Sequence, residues 1–346
     1  VYGRVVSENT SYFMNAQVAD SFGEATPEDE LFHRSAREEV SDPALVETVF
    51  AGFNVPDADI HCLNYLWLHP NMRLLGGGTW CWQGIKRTQL EAEIFDMRDF
   101  VPDAPITDDG GDLDDITLPS GYRYQVLEPL RTVRMSYADP ARGNAFDVTL
   151  EAIMPAAMLP SNKHFDQVMR TSGTLTLRGE EHRVSGHAVR DRSWAEARTE
   201  DPTGLSAIHW LVASFGDDLC IHVTGLEDVA TASWRDRFAA DEAMPAAMNR
   251  GWVWRDGALR AIREARIHTE WDRDGRRQAA HELHVVDDHG DRYVMHGEVR
   301  ASCPWHTWSN VHMSIGLARW TLDGRVGHGD SQVAMWTDFV RGALVG

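Results

Sequence analysis

The stretch His164 to Trp194, HFDQVMRTSGTLTLRGEEHRVSGHAVRDRSW, reads as two strands joined at Arg178-Gly179-Glu180. In the first strand Met169, Thr171, Gly173, Leu175 and Leu177 alternate with Arg170, Ser172, Thr174 and Thr176. A period of two is the mark of a strand with one face on a core and the other towards water. In the second strand the same arithmetic puts His187, Val189 and Asp191 on one face, and Ala188, Arg190 and Arg192 on the other. An aspartate that shares a sheet face with His187 and Val189 stands where its affinity for a proton could be raised.

Outward from this hairpin the chain reads as β nearly throughout. HCLNYLWLH at 61–69 and RLLGGGTWCWQG at 73–84 form a strand pair about Pro70-Asn71, with Gly76-Gly77-Gly78 as a bulge or flexible corner. Residues 121–137 and 146–154 are strand-like too. Beyond residue 200, turns recur at Gly216-Asp217-Asp218, Asp256-Gly257, Asp274-Gly275, Asp288-His289-Gly290 and Asp323-Gly324, bordered by segments such as LCIHV (219–223) and ELHVV (282–286). Short strands closed by Asp-Gly turns point to an antiparallel barrel or sandwich. Helices are expected at the periphery: a start at Thr26-Pro27-Glu28-Asp29-Glu30, an amphipathic segment at Pro43–Phe50, and stretches at 91–99, 235–248 and 337–344. The carboxylate-rich segment 103–119 reads as a solvated acidic loop, since it lacks the ligand order of an EF-hand.

Composition narrows the classes. The 346 residues exceed one ordinary core, so two units are expected, 1–160 and 161–346. A net charge of −20, with lysines only at Lys86 and Lys163, repels nucleic-acid phosphates and anionic lipid, so neither is an expected partner. No apolar run reaches the roughly 18 residues of a membrane helix. Cys62, Cys81, Cys220 and Cys303 form no CxxC pair and no disulfide framework, as in a reduced, cytoplasmic protein. No Rossmann fingerprint, P-loop, GxSxG elbow or HExxH is present, so no nucleotide or other cofactor is expected.

His164-Phe165-Asp166-Gln167, Gly173, Gly179, Gly186 and Arg190-Asp191-Arg192-Ser193-Trp194 resemble the central signature of a lipocalin-like superfamily. Its members include carotenoid hydratases, kievitone hydratase and AttH-like proteins. Tyr65, His69-Pro70-Asn71, Trp82-Gln83-Gly84 and the closing Gly324, Gly327-His328-Gly329-Asp330 are similar to an uncharacterised bacterial branch. The resemblance implies an all-β chain of two lipocalin-like antiparallel barrel or sandwich domains, with an apolar cavity for an isoprenoid or polyketide guest. It also implies that Asp191 is the acid of a Tyr-x-Asp element whose tyrosine is Val189 here. Ala195 stands where glycine usually follows Ser-Trp, and the next arginine is Arg198.

Adding or removing water across an alkene needs a proton donor, shelter for a carbocation, and a placed water or base. A carboxyl group in an apolar cavity stays protonated near neutrality and can act as that donor. Asp191 is the candidate, although the same residue could cap a turn or pair with an arginine. His187 could orient Asp191 or relay its proton, and His164 with Asp166 could form a second acid–base pair or an anchor at the domain seam. Trp194, Trp210, Val189, Gln167, Arg190 and Trp82 are the candidate substrate-lining residues; indole faces stabilise cations by about 0.5–2 kcal/mol when desolvated. His306 and His312 with His328 and Asp330 match no standard ligand spacing, so no metal is expected there.

Two functions compete. One is a cofactor-independent hydratase or dehydratase, or an isomerase or cyclase, acting on an apolar, terpenoid-like molecule. The other is a carrier that holds such a ligand without chemistry. In a third arrangement the paired barrels mainly build a subunit interface, as in a homodimer. Fold analogy alone cannot choose among them.

Overall fold

The computed structural model describes residues 22–33, 43, 45–103, 111–160, 162–197, 207–226, 250–306 and 311–337. The first β unit contains β1 (Leu45–Val55), β2 (Ile60–His69), β3 (Leu74–Gln83), β4 (Ile94–Pro102), β5 (Asp115–Thr117), β6 (Arg123–Glu128), β7 (Thr132–Asp139), β8 (Asn144–Ala152), β9 (Ala157–Met158), β10 (His164–Leu177) and β11 (Glu180–Ala197). These form one curled sheet in the order β4-β3-β2-β1-β11-β10-β8-β7-β6-β5, with β9 paired to β10. The second unit is a closed eight-stranded barrel of β12 (Ile208–Ser214), β13 (Leu219–Leu226), β14 (Arg250–Arg255), β15 (Ala258–Trp271), β16 (Gln278–Asp287), β17 (Arg292–Trp305), β18 (Val311–Leu322) and β19 (Arg325–Trp336).

The expected hairpin is present in full. β10 and β11 pair from His164↔Ser193 to Leu177↔Glu180 without a break. Arg178 and Gly179 close it with φ of 54° and 84°, the left-handed pair that a two-residue turn matching strand twist requires. Asp256-Gly257 and Asp323-Gly324 close barrel hairpins in the same way.

The sheets correct several expectations. A boundary at 160/161 falls inside the first sheet, because β10 pairs with β8 and β11 with β1. The change of sheet comes between Ala197 and Ile208. The expected helix at Pro43–Phe50 is instead β1, every residue of which is buried. A strand covered on both faces carries apolar residues in an unbroken run, which periodicity cannot tell from a short helix. Most of Glu91–Asp99 is likewise strand, the edge β4. The acidic segment contributes β5, and Leu113, Ile116 and Leu118 from it are buried. Thr26–Glu30 does hold a helical turn, a 3-10 turn at Pro27–Glu30 in which Thr26 N–H donates to Asp29 (2.7 Å). The segment 235–248, and 337–344 beyond its first residue, lie outside the described residues.

The concave face of the sheet closes on its own core, from Phe53 and Ile60 to Tyr124, Met135, Val148 and Leu175. The barrel fills its interior with Leu211, Ile221, Val253, Ile267, Met295 and Trp320, among others. The convex face of the sheet then packs on the outside of the barrel. Phe50, Leu63, Trp80 and Trp82 meet Ala301, Cys303, Trp305, Ile315 and Leu317. Main-chain bonds from Lys86 to Ser302 (2.7 Å) and from Ser302 to Gly84 (3.0 Å) tie this seam, as does the buried contact of His61 with Asp330 at 3.1 Å. Among the described residues no helix is long and apolar enough to cross a membrane.

Candidate functional site

Residues directly opposite one another on neighbouring strands share a face. The register therefore places Asp166, Asp191, Phe50, Tyr65, Gly78 and Met97 in one row across six strands, from β10 to β4. The adjacent row is His164, Ser193, Thr48, Trp67 and Gly76. Both rows face the barrel. Asp191, Tyr65, Trp67 and Met97 are half-buried, and so are Trp210 and Met313, which the barrel brings to the same surface.

The glycines shape this surface. A Cβ on Gly76 would lie 2.4 Å from the Trp67 indole, so that ring lies flat over the backbone of β3 only because position 76 is glycine. A Cβ on Gly78 (φ 148°) would lie 2.0 Å from the Asp96 carbonyl oxygen. The Gly-rich corner thus does contain a bulge, with a register shift between Leu75 and Gly77 against β4.

At the polar end of the rows, donor atoms of His164, Asp166 and Asp191 all lie within 4.8 Å of one another. His164 Nε2 is 3.0 Å from Asp166 Oδ1, and His222 of β13 reaches across the seam to within 3.6 Å of Oδ2. His222 Nδ1 lies 3.1 Å from the Leu211 carbonyl, and as its donor fixes the ring with Nε2 towards Asp166. Next to it the apolar wall begins. Trp210 lies 4.6 Å from the His222 ring and 5.3 Å from Phe50, and Tyr65 continues the contact to Trp305 at 5.9 Å. Carboxylates, imidazoles and aromatic faces therefore meet at one seam, with His164, Asp166, His222 and Phe50 buried and Asp191, Tyr65 and Trp210 half-buried.

Not all of the expected site residues join it. Val189 is on the seam face but packs in an apolar cluster with Val168, Val212, Cys220 and Trp252. His187 turns to Asp217 in the β12–β13 turn (2.7 Å) and so does not orient Asp191. Hydrogen bonds from Arg170 and His187 hold Asp217 below the usual carboxylate range. Trp82 is fully buried against Trp80 (4.4 Å) and His61 (5.0 Å) as seam packing.

Gln167, Arg190, Arg192 and Trp194 lie on the opposite face, which is buried and does not face water. Arg190 donates to both oxygens of Glu30 (2.6 and 2.8 Å) and to Gln167, with Tyr124 at 3.3 Å. Gln167 in turn donates to the Leu130 and Met154 carbonyls. Burial alone would raise the Glu30 carboxyl; the guanidinium of Arg190 overrides that and holds it below its ordinary range. Trp194 stacks on His33 at 4.2 Å. These three candidates hold the 3-10 turn against the sheet and do not line the seam.

His306 and His312 do meet, with rings 5.2 Å apart, but Asp330 is engaged by His61 and not by them. All four cysteines are free and buried. Two open polar clefts, one lined by His268, Glu282, His296 and Arg319 and one by Asp57, Asp59, Arg300 and His328, do not include the seam cluster. Sequence reasoning missed His222, Phe50 and Met313. The strand signal placed His222 in LCIHV, but nothing local says that its face meets another sheet.

Residues 26–337 match a family model described as "Domain of unknown function (DUF7064)". No curated protein matches the chain in sequence. Among solved structures the chain is similar to CghA, with a TM-score of 0.52 and 13% identity over 84% of this chain and 88% of that one. Kievitone hydratase from Nectria haematococca gives 0.51 and 10% over 92% and 97%. A putative AttH from Nitrosomonas europaea gives 0.56 and 12% over 84% and 92%. At these identities the likeness is one of fold.

Proposed function

The chain belongs to the DUF7064 family, and we propose that it is an acid–base enzyme that hydrates, dehydrates or cyclises an apolar small molecule at the seam. The row Asp166–Asp191–Phe50–Tyr65 is the observation that carries this reading: it sets a carboxyl group against an aromatic wall. His164 Nε2, 3.0 Å from Asp166 Oδ1, favours Asp166 as the anion when it is the donor, and the His222 ring lies beside the other oxygen. Asp191 stands across from that anion, where like-charge repulsion and partial burial favour the protonated acid.

The step then balances without an outside reactant. Asp191 gives its proton to an alkene carbon, and positive charge forms on the neighbouring carbon. The faces of Trp210, Phe50 and Tyr65 lower the energy of that cation. A water molecule adds to the cation and loses a proton to the carboxylate, which restores the acid; dehydration is the reverse. Where a second alkene of the same molecule attacks first, the product is a ring. The kievitone hydratase neighbour carries a hydratase in its name, and that agreement supports the first branch. The free buried thiols fit the reducing cytoplasm as the place of action.

Native mass spectrometry of protein taken from its own host tests the reading. An apolar guest should co-purify, be displaced in Trp210→Ala, and be converted by wild type. A guest that is retained but never converted would make the protein a carrier.

A further inference from the structure

The two carboxylates that face each other across β10 and β11 can be relieved by a cation as well as by a proton. We propose that His164, Asp166, Asp191 and His222 form a binding site for a divalent transition cation of the zinc class, and that the bound cation switches the acid off.

Among the described residues His164, Asp166 and Asp191 are the one group of three such side chains whose ligand atoms all lie within 4.8 Å of one another, and two of them are buried; His222 stands outside that group and approaches it at Asp166, 3.6 Å away. The set is mixed: carboxylate oxygens from Asp166 and Asp191, and imidazole nitrogens from His164 and His222. Imidazole selects zinc-class ions over magnesium or calcium, which take oxygen donors. Zinc bonds of about 2.0–2.1 Å place neighbouring ligand atoms roughly 3.3 Å apart in a tetrahedron. His164 Nε2 and Asp166 Oδ1, 3.0 Å apart, come near that value, while His222 Nε2 lies 3.6 Å from the other carboxylate oxygen, Oδ2.

The surroundings of His222 are an independent sign. Metal-bound histidines commonly donate their other ring N–H to a backbone carbonyl, which fixes the tautomer and aims the lone pair. His222 Nδ1 has such a carbonyl, that of Leu211, at 3.1 Å. The Thr224 hydroxyl, 3.3 Å from Nε2, can satisfy that lone pair while no cation is bound. The ligands also come from both sides of the seam, β10 and β11 from the sheet and β13 from the barrel, so the cation would clasp the two units together.

The switch rests on the acid role given to Asp191; the binding does not. Zinc chloride is titrated by calorimetry into chelator-treated protein, and cobalt(II) is added in parallel for its visible spectrum. One equivalent of zinc should bind, with intense four-coordinate cobalt bands. Asp166→Asn, Asp191→Asn and His222→Ala should each weaken binding at least tenfold while circular dichroism stays unchanged. His296→Ala, on the exposed barrel face, should leave it intact. No saturable binding, or binding lost in His296→Ala and kept in the three seam variants, overturns the site. Turnover that persists in zinc-loaded wild type overturns the switch alone. Zinc binding lost in Asp191→Asn with turnover retained overturns the acid role and leaves the cation site standing.

Discussion

Asp166 and Asp191 occupy directly opposed positions on β10 and β11, two carboxylates set side by side on the face that meets the barrel. Like charges so placed destabilise a sheet unless something is held between them. Asp166→Leu, which removes one charge and fills the seam with an apolar group, should therefore leave the fold intact or firmer in urea denaturation while turnover falls. A large loss of stability would mean that the pair is structural.

Glu30 and Arg190 are the stronger structural pair, both buried and joined by two hydrogen bonds. Glu30→Gln leaves the guanidinium buried without its anion and should cost about 3–5 kcal/mol in chemical denaturation at neutral pH. The folded carboxyl is held below its ordinary value. Its contribution is therefore full above the unfolded carboxylate range and is lost as pH falls through the lower, folded value. The gap between wild type and Glu30→Gln should narrow in that acid window. A gap that widens on acidification would contradict the assignment.

The exposed contact of Arg170 with Asp217 should behave differently. Arg170→Ala should shift stability by less than about 1 kcal/mol, because exposed ion pairs are screened and mobile. Turnover should be unchanged, since neither residue lies in the proposed site.

Gly76→Ala tests the floor of the aromatic wall. The added methyl meets the Trp67 ring at 2.4 Å, so the indole must swing away. A loss of about 1–3 kcal/mol is expected, together with a change in tryptophan emission. An unaltered spectrum would mean that Trp67 does not lie over this strand.

Trp210→Ala should raise KM roughly tenfold, about 1.4 kcal/mol of lost contact with an apolar guest. An equal loss confined to kcat would instead assign Trp210 to the cation-like transition state.

The sequence was legible where the physics is local. Alternation from Met169 to Leu177 and the Arg178-Gly179 turn specify their hairpin, because side-chain period and turn chemistry need no distant partner. His164 and Asp166 were readable as neighbours for the same reason, being two apart on one strand, whereas Asp191 was set with His187 and its place opposite Asp166 comes from the strand register. What failed was the reading of faces. Arg190 and Arg192 look like a solvent face, yet both are fully buried, because Glu30 and the carbonyls of Asp29, Leu31 and Thr48 meet them from far away in the chain. A buried charge is readable only with its partner, and nothing near residue 190 names Glu30. For the same reason β1 passed for a helix: its second cover is a barrel that begins about 150 residues later.

The central claim is that Asp191 delivers a proton to carbon. The direct measurement is deuterium transfer from deuterium oxide into the co-purified apolar guest, followed by mass spectrometry in wild type and in Asp191→Asn. Wild type should place deuterium on carbon during turnover, and Asp191→Asn, folded by circular dichroism and still holding the guest, should place none. A folded Asp191→Asn protein that deuterates the guest at the wild-type rate would contradict the account.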